Sequence, residues 1–175
     1  MLKFAGVILI LFAGTMIGML QAARFAARPR QIRHLLHALQ RLETEISYGQ
    51  TPLPEALLTI ATLVPKPLAG IFEEIANSLR NQAADTGETV RQCWERTIES
   101  RWHGTAMKQV EKEAFLRLGA TLGSSGRDDQ LKHIRLTMVQ LQTEEATARE
   151  DQMRYEKLSR TLGALAAALV VILMV

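Results

Sequence analysis

Cys93 is the single cysteine of the chain. A thiol becomes a nucleophile when a cation, a base or a helix N-terminus holds it as the thiolate. Cys93 stands beside Trp94 with no obvious activating partner, which predicts a buried, inert thiol. One cysteine makes no internal disulfide, which suits a cytoplasmic domain. His34 and His37 are three residues apart and could present two imidazoles from one helix face, but the acidic partner of an HExxH site is missing. Solvation near a helix start explains them equally well, and His103 and His133 are isolated. Gly123-Ser124-Ser125-Gly126-Arg127 is glycine-rich, yet a phosphate loop needs GxxxxGK followed by Ser or Thr, after a strand. With neither, this stretch reads as a turn between helices. The carboxylate pairs Glu43/Glu45, Glu73/Glu74 and Glu144/Glu145 read mostly as solvated helix faces. These residues predict no enzyme, no metal and no cofactor, so any nucleotide hydrolysis must come from another protein.

The elements that hold these residues read as helix almost throughout, with only 5% aromatic residues and no convincing strand. Breakers divide the middle of the chain into six segments. The first, from about Arg30 to Tyr48, places Ile32, Leu35, Leu36, Leu39, Leu42 and Ile46 on one face, and Gly49 stops it. Thr51 is a plausible N-cap for the second, whose first turn takes Pro52 and Pro54; Pro65 and Pro67 end it. The third, about Pro67 to Gln82, buries Leu68, Ile71, Phe72, Ile75 and Leu79. Asp85 or Thr86 caps the fourth, with Val90, Trp94 and Ile98 inside. The fifth, about Thr105 to Leu122, turns Met107, Val110, Ala114, Leu118 and Leu122 inward. The last starts near Asp128 and follows a heptad seam through Leu131, Ile134, Met138 and Leu141. Beyond that the seam fades into polar and small residues, which predicts a projecting stalk braced by acid-before-base pairs such as Glu145–Arg149.

The ends differ in kind. The 175 residues are 47% hydrophobic and 22% charged overall, but Phe4–Ala23 and Thr161–Val175 carry no charge at all. Twenty helical residues span about 30 Å, the thickness of a bilayer core. A cleaved signal peptide would need small residues at −3 and −1, and Gly18/Leu20, Ala22/Arg24 and Ala23/Phe25 each fail. A retained transmembrane helix is therefore expected. Arg24, Arg28, Arg30 and Arg33 follow it with no acid among them, which puts the N-terminus outside and residues 24–160 in the cytoplasm. Beyond these arginines the chain is slightly acidic, so the formal net charge of +3 marks topology and not a nucleic-acid surface. The C-terminal run is only about 22 Å long as a helix. Lys157 and Arg160 could snorkel to let it enter the membrane. Whether it spans is left open. Gly14 and Gly18, and Gly163 and Ala167, form small-xxx-small pairs that could pack these helices together, against a partner's helix or in a homo-oligomer. The expected organisation is an anchor over 1–23, a cytoplasmic bundle over 24–160 and a membrane segment over 161–175 continuous with the last helix.

Three stretches resemble the stage III sporulation protein AB family of spore-forming bacteria. They are Leu42–Leu57, centred on Tyr48-Gly49-Gln50-Thr51-Pro52-Leu53-Pro54-Glu55; Phe115–Gly123 followed by Arg127-Asp128-Asp129-Gln130; and Tyr155–Gly163 entering the apolar tail. More distantly, Gly49, Pro52-Leu53 and Ala56-Leu57 are similar to the turn pattern of type II secretion protein F, the inner-membrane platform of secretion and pilus machines, whose cytoplasmic domain is a six-helix bundle. The resemblance implies a place in the channel complex linking mother cell and forespore, in the mother-cell membrane, together with other stage III channel proteins and a secretion-type ATPase, protein AA. It implies a non-enzymatic platform that docks the ATPase on its bundle. Gly49, Thr51, Pro52, Leu53, Pro54, Glu55, Arg127, Asp128, Asp129 and Gln130 are the candidate contact residues. The alternatives are a membrane-anchored signalling or scaffold module unrelated to secretion, which would dimerise along the stalk, and a small membrane enzyme.

Overall fold

The computed structural model describes the backbone of residues 2–48, 51–82, 89–122 and 126–174, and the side chains of residues 23, 25–48, 51–81, 89–122 and 126–158. The order is α1 (Leu2–Tyr48), α2 (Leu53–Leu63), α3 (Leu68–Gln82), α4 (Val90–Arg101), a 3-10 turn (Trp102–Gly104), α5 (Gln109–Thr121) and α6 (Arg127–Met174). The class is all-α with six helices, the last of them long, and there is no strand among the described residues.

The two long helices form the frame. The Arg127 side chain meets the Ser47 carbonyl, and side-chain pairs join Arg135 to Glu43, Arg33 to Glu145, Arg28 to Asp151 and Phe25 to Tyr155. The two numbers in each pair rise and fall together in opposite senses, which is the register of an antiparallel pair. Ser47 to Phe25 covers about 33 Å at 1.5 Å per residue. The shorter helices pack in sequence between these two: α2 on α3, α3 on α4, α4 on α5, and α5 back on α6.

The apolar face expected for the first segment is the one that is buried: Ile32, Leu35, Leu36, Leu39 and Leu42. The same holds for Leu68, Ile71, Phe72, Ile75 and Leu79 of α3. Phe115 is the aromatic centre, 4.8 Å between ring centroids from Trp94 and 5.7 Å from Phe72. Trp94 donates its indole N–H to the Phe115 carbonyl at 2.9 Å. Cys93 is buried beside it, as expected.

Five local expectations are corrected. The first amphipathic segment does not begin at Arg30; α1 runs through Pro29 without a break, because the flanking turns are held from outside. Thr51 does not cap α2. Pro52 occupies that position and accepts from the N–H groups of Glu55 and Ala56 at 3.0 and 3.1 Å, while the Thr51 hydroxyl donates to Glu45 at 3.2 Å. The cap of α4 is Thr89, which accepts from Gln92 N–H, while the Gln92 side chain accepts from Thr89 N–H at 2.8 Å. This reciprocal capping box sets the start of α4 at Val90; Asp85 and Thr86 lie outside the described residues. On α5 the inward face keeps Met107, Ala114, Leu118 and Leu122, but Val110 is 43% exposed and Glu111 takes its place inside. Finally, α6 does not project beyond Leu141. Ala148 is 1% exposed and Tyr155 stacks on Phe25 at 4.3 Å, so the helix stays packed along α1. The seam continues at strict heptads through Ile134, Leu141, Ala148 and Tyr155, and small or polar members hid it.

Among the described residues no helix is long and apolar enough to cross a membrane. Residues 4–22 and 161–175, with Gly14, Gly18, Gly163 and Ala167, lie outside those whose side chains are described, as do Arg24 and Gly49.

Candidate functional site

Two turn motifs almost eighty residues apart meet at one end of the frame, where α1 stops and α6 starts. Chain reversal after Tyr48 leads into the Pro52-capped α2, and Gly126 leads into α6 with its carbonyl accepting from Gln130 N–H at 3.0 Å. The Arg127 guanidinium donates to the Ser47 carbonyl, close to the C-terminus of α1. A cation there also complements the negative end of the helix dipole. Between the motifs lies a cleft of about 280 Å³ lined by Glu45, Ile46, Thr51, Leu53, Ala56, Arg127 and Gln130. Its floor is apolar (Ile46, Leu53, Ala56) and its rim polar. Glu45 is held in place by Arg41 at 2.7 Å and by Thr51.

Of the candidate contact residues, Thr51, Leu53, Arg127 and Gln130 share this cleft. Pro52 and Glu55 are exposed beside it, and Pro54 is half-buried in the first turn of α2. Asp129 is exposed. Asp128 lines a separate shallow surface on α6, with Leu131, Lys132, Arg135, Leu136 and Val139. An apolar-floored cleft with an arginine and an amide at its rim can seat a side chain of another protein and hydrogen-bond to its backbone.

A second constellation sits about 30 Å along the frame, and sequence reasoning missed it. Arg28 is 5% exposed and Glu111 is 0% exposed. Arg28 Nε and one terminal nitrogen donate to a single oxygen of Glu111, at 2.9 and 2.5 Å. The same arginine reaches Glu144 at 3.1 Å and Asp151 at 3.5 Å. The other Glu111 oxygen accepts from Lys108 N–H at 2.7 Å, tying the start of α5 into the cluster, and Lys108 Nζ lies 3.3 Å from Asp151. Glu144 is therefore not a solvated carboxylate, and Glu145 pairs with Arg33 at 2.8 Å and Arg149 at 3.0 Å. The signal was present. Arg28 is four and seven residues before Ile32 and Leu35, on the buried face of α1. Glu144 and Asp151 fall on the seam of α6, and Glu111 falls in register with Phe115 and Leu118. Three helices thus carry a charge at an inward position, all at one level.

Of the four arginines expected to set membrane orientation, Arg28 and Arg33 are engaged with α5 or α6, and Arg30 donates to the Ala26 carbonyl at 3.0 Å. His34 is half-buried, and His37 lies 3.3 Å from the Gln40 side chain. No cluster of three metal-ligating side chains occurs among the described residues.

The chain matches the family model described as stage III sporulation protein AB over residues 3–175. It is 37% identical over 174 residues to stage III sporulation protein AB of Bacillus subtilis (strain 168), with 99% of each chain covered. A solved structure of a stage III sporulation protein AB superposes with a TM-score of 0.66 at 37% identity, covering 73% of this chain and 98% of that one.

Proposed function

The chain belongs to the stage III sporulation protein AB family, and from that premise we propose that it is a non-enzymatic membrane platform of the sporulation channel between mother cell and forespore. In this reading residues 1–23 and 161–175 anchor it in the mother-cell membrane. Residues 24–160 form the cytoplasmic bundle that docks a secretion-type ATPase. Arg24, Arg28, Arg30 and Arg33 set the orientation, and Gly14, Gly18, Gly163 and Ala167 pack the membrane helices. The carrying observation is the meeting of the two turn motifs around one cleft. That cleft lies at the end of the α1–α6 frame remote from the apolar runs.

The test is direct binding of the purified ATPase, protein AA, to the full-length protein in detergent. Association at about 1–10 µM is expected, weakened roughly tenfold or more by Arg127→Glu or Leu53→Asp, as befits central contacts. Absence of binding by the folded wild-type protein at these concentrations sinks the docking reading.

A further inference from the structure

We infer that α1 contains a hinge at Pro29 and that the buried Arg28 cluster is the latch that holds it closed. Proline brings no N–H to a helix, so the carbonyl four residues earlier, that of Phe25, has no donor in the ladder. One residue on, the Ala26 carbonyl takes a side-chain bond from Arg30 at 3.0 Å. A helix interrupted this way bends unless something outside it holds the two halves in line. α1 is helical on both sides of Pro29, from Leu2 to Tyr48, so this weakened turn sits inside one long helix.

Three cross-helix contacts splint the turn. The Phe25–Tyr155 stack lies on the N-terminal side and the Arg33–Glu145 pair on the C-terminal side. Arg28, adjacent to the proline, bonds to Glu111 of α5 and to Glu144 and Asp151 of α6. Among these three contacts only Arg28 ties α1 to α5. Removing one partner of a buried ion cluster leaves the other uncompensated, so the latch is tested by removing Arg28 and Glu111 together. What the planar arginine fork adds is a single register. The fork ties α1 at this level to acceptors on two other helices, α5 and α6. With the latch closed, the long helices and the bundle move as one body. With it open, the halves leading to the apolar runs move separately. The inference deepens the platform reading and draws on it only for the purpose of the motion.

The experiment is hydrogen exchange on the full-length protein in detergent micelles, with no ATPase added. In Arg28→Leu/Glu111→Leu, amides of residues 23–33 should exchange about tenfold faster or more, while α2 and α3 stay within roughly twofold of wild type. Adding Pro29→Ala to that background should restore protection, because the ladder bond returns. No change at 23–33, equal acceleration in every helix, or no restoration by Pro29→Ala each overturns the latch. If the double leucine variant does not fold, Glu144→Gln/Asp151→Asn replaces it, with about threefold faster exchange confined to the same segment as the expected result and unchanged exchange as the refuting one. Failure of the ATPase to bind would remove the docking reading and leave these rates untouched.

Discussion

At the residue scale the tightest constraint is the absence of a side chain. A Cβ at Gly119 would lie 2.2 Å from Trp94 Cδ1 and 2.3 Å from Cγ, so the indole rests directly on the backbone of α5. Gly119→Ala must push the ring out of a packed centre and break its bond to the Phe115 carbonyl. A loss of about 1–3 kcal/mol is expected, read from a denaturant midpoint, with part of it recovered in Gly119→Ala/Trp94→Phe. This explains the stretch Phe115–Gly123 as a packing requirement and not as chemistry. The charged residues divide in the same way. Arg28→Ala leaves the buried Glu111 without its guanidinium partner, and should cost about 3–5 kcal/mol. Arg33→Ala removes a half-exposed pair and should cost less than about 1 kcal/mol. Both arginines look alike in the sequence. Their burial differs because Arg28 shares a helix face with Ile32 and Leu35.

At the element scale, helix existence was legible and helix phase was not always so. Proline, glycine and the 3.6-residue spacing of apolar side chains placed all six helices, because those signals act within a few residues. The starts of α2 and α4 were misjudged where several capping residues compete. Asp85 with Glu88 and Thr89 with Gln92 share the same capping spacing in the sequence; Thr89 is the residue that caps α4, so Thr89→Ala should lower stability by about 1 kcal/mol, measurable as a fall in melting temperature. The place of Glu111 on α5 and the packing of α6 beyond Leu141 were misread for a common reason. A charged or small side chain at an inward position looks like solvent exposure until its partner on another helix is known. Glu111, Glu144 and Ala148 are all of this kind.

At the scale of the whole molecule, the antiparallel α1–α6 frame puts the turn cleft at one end and directs both apolar runs away from the other. On the proposed membrane reading, a cysteine introduced at Val175 should react with an impermeant thiol reagent only from the side of the membrane opposite the bundle. The buried native Cys93 leaves the added thiol as the reporter. Labelling solely from the bundle side would overturn the two-anchor arrangement. The cleft itself was half legible: both turn motifs stood out in the chain, but nothing in their spacing said that they meet.

Helix number, the buried faces of α1 and α3, the buried cysteine and the family were determined by the sequence alone, since each rests on local spacing or on motifs a few residues long. Only the tertiary structure decided that Arg127 reaches Ser47, and that Arg28 is enclosed by Glu111, Glu144 and Asp151. It also decided that α6 is packed along α1 and does not stand free. These depend on which distant side chains share a level in the bundle. The energy of a buried charge is set by its partner across the interface, and a one-dimensional pattern does not carry that partner's position.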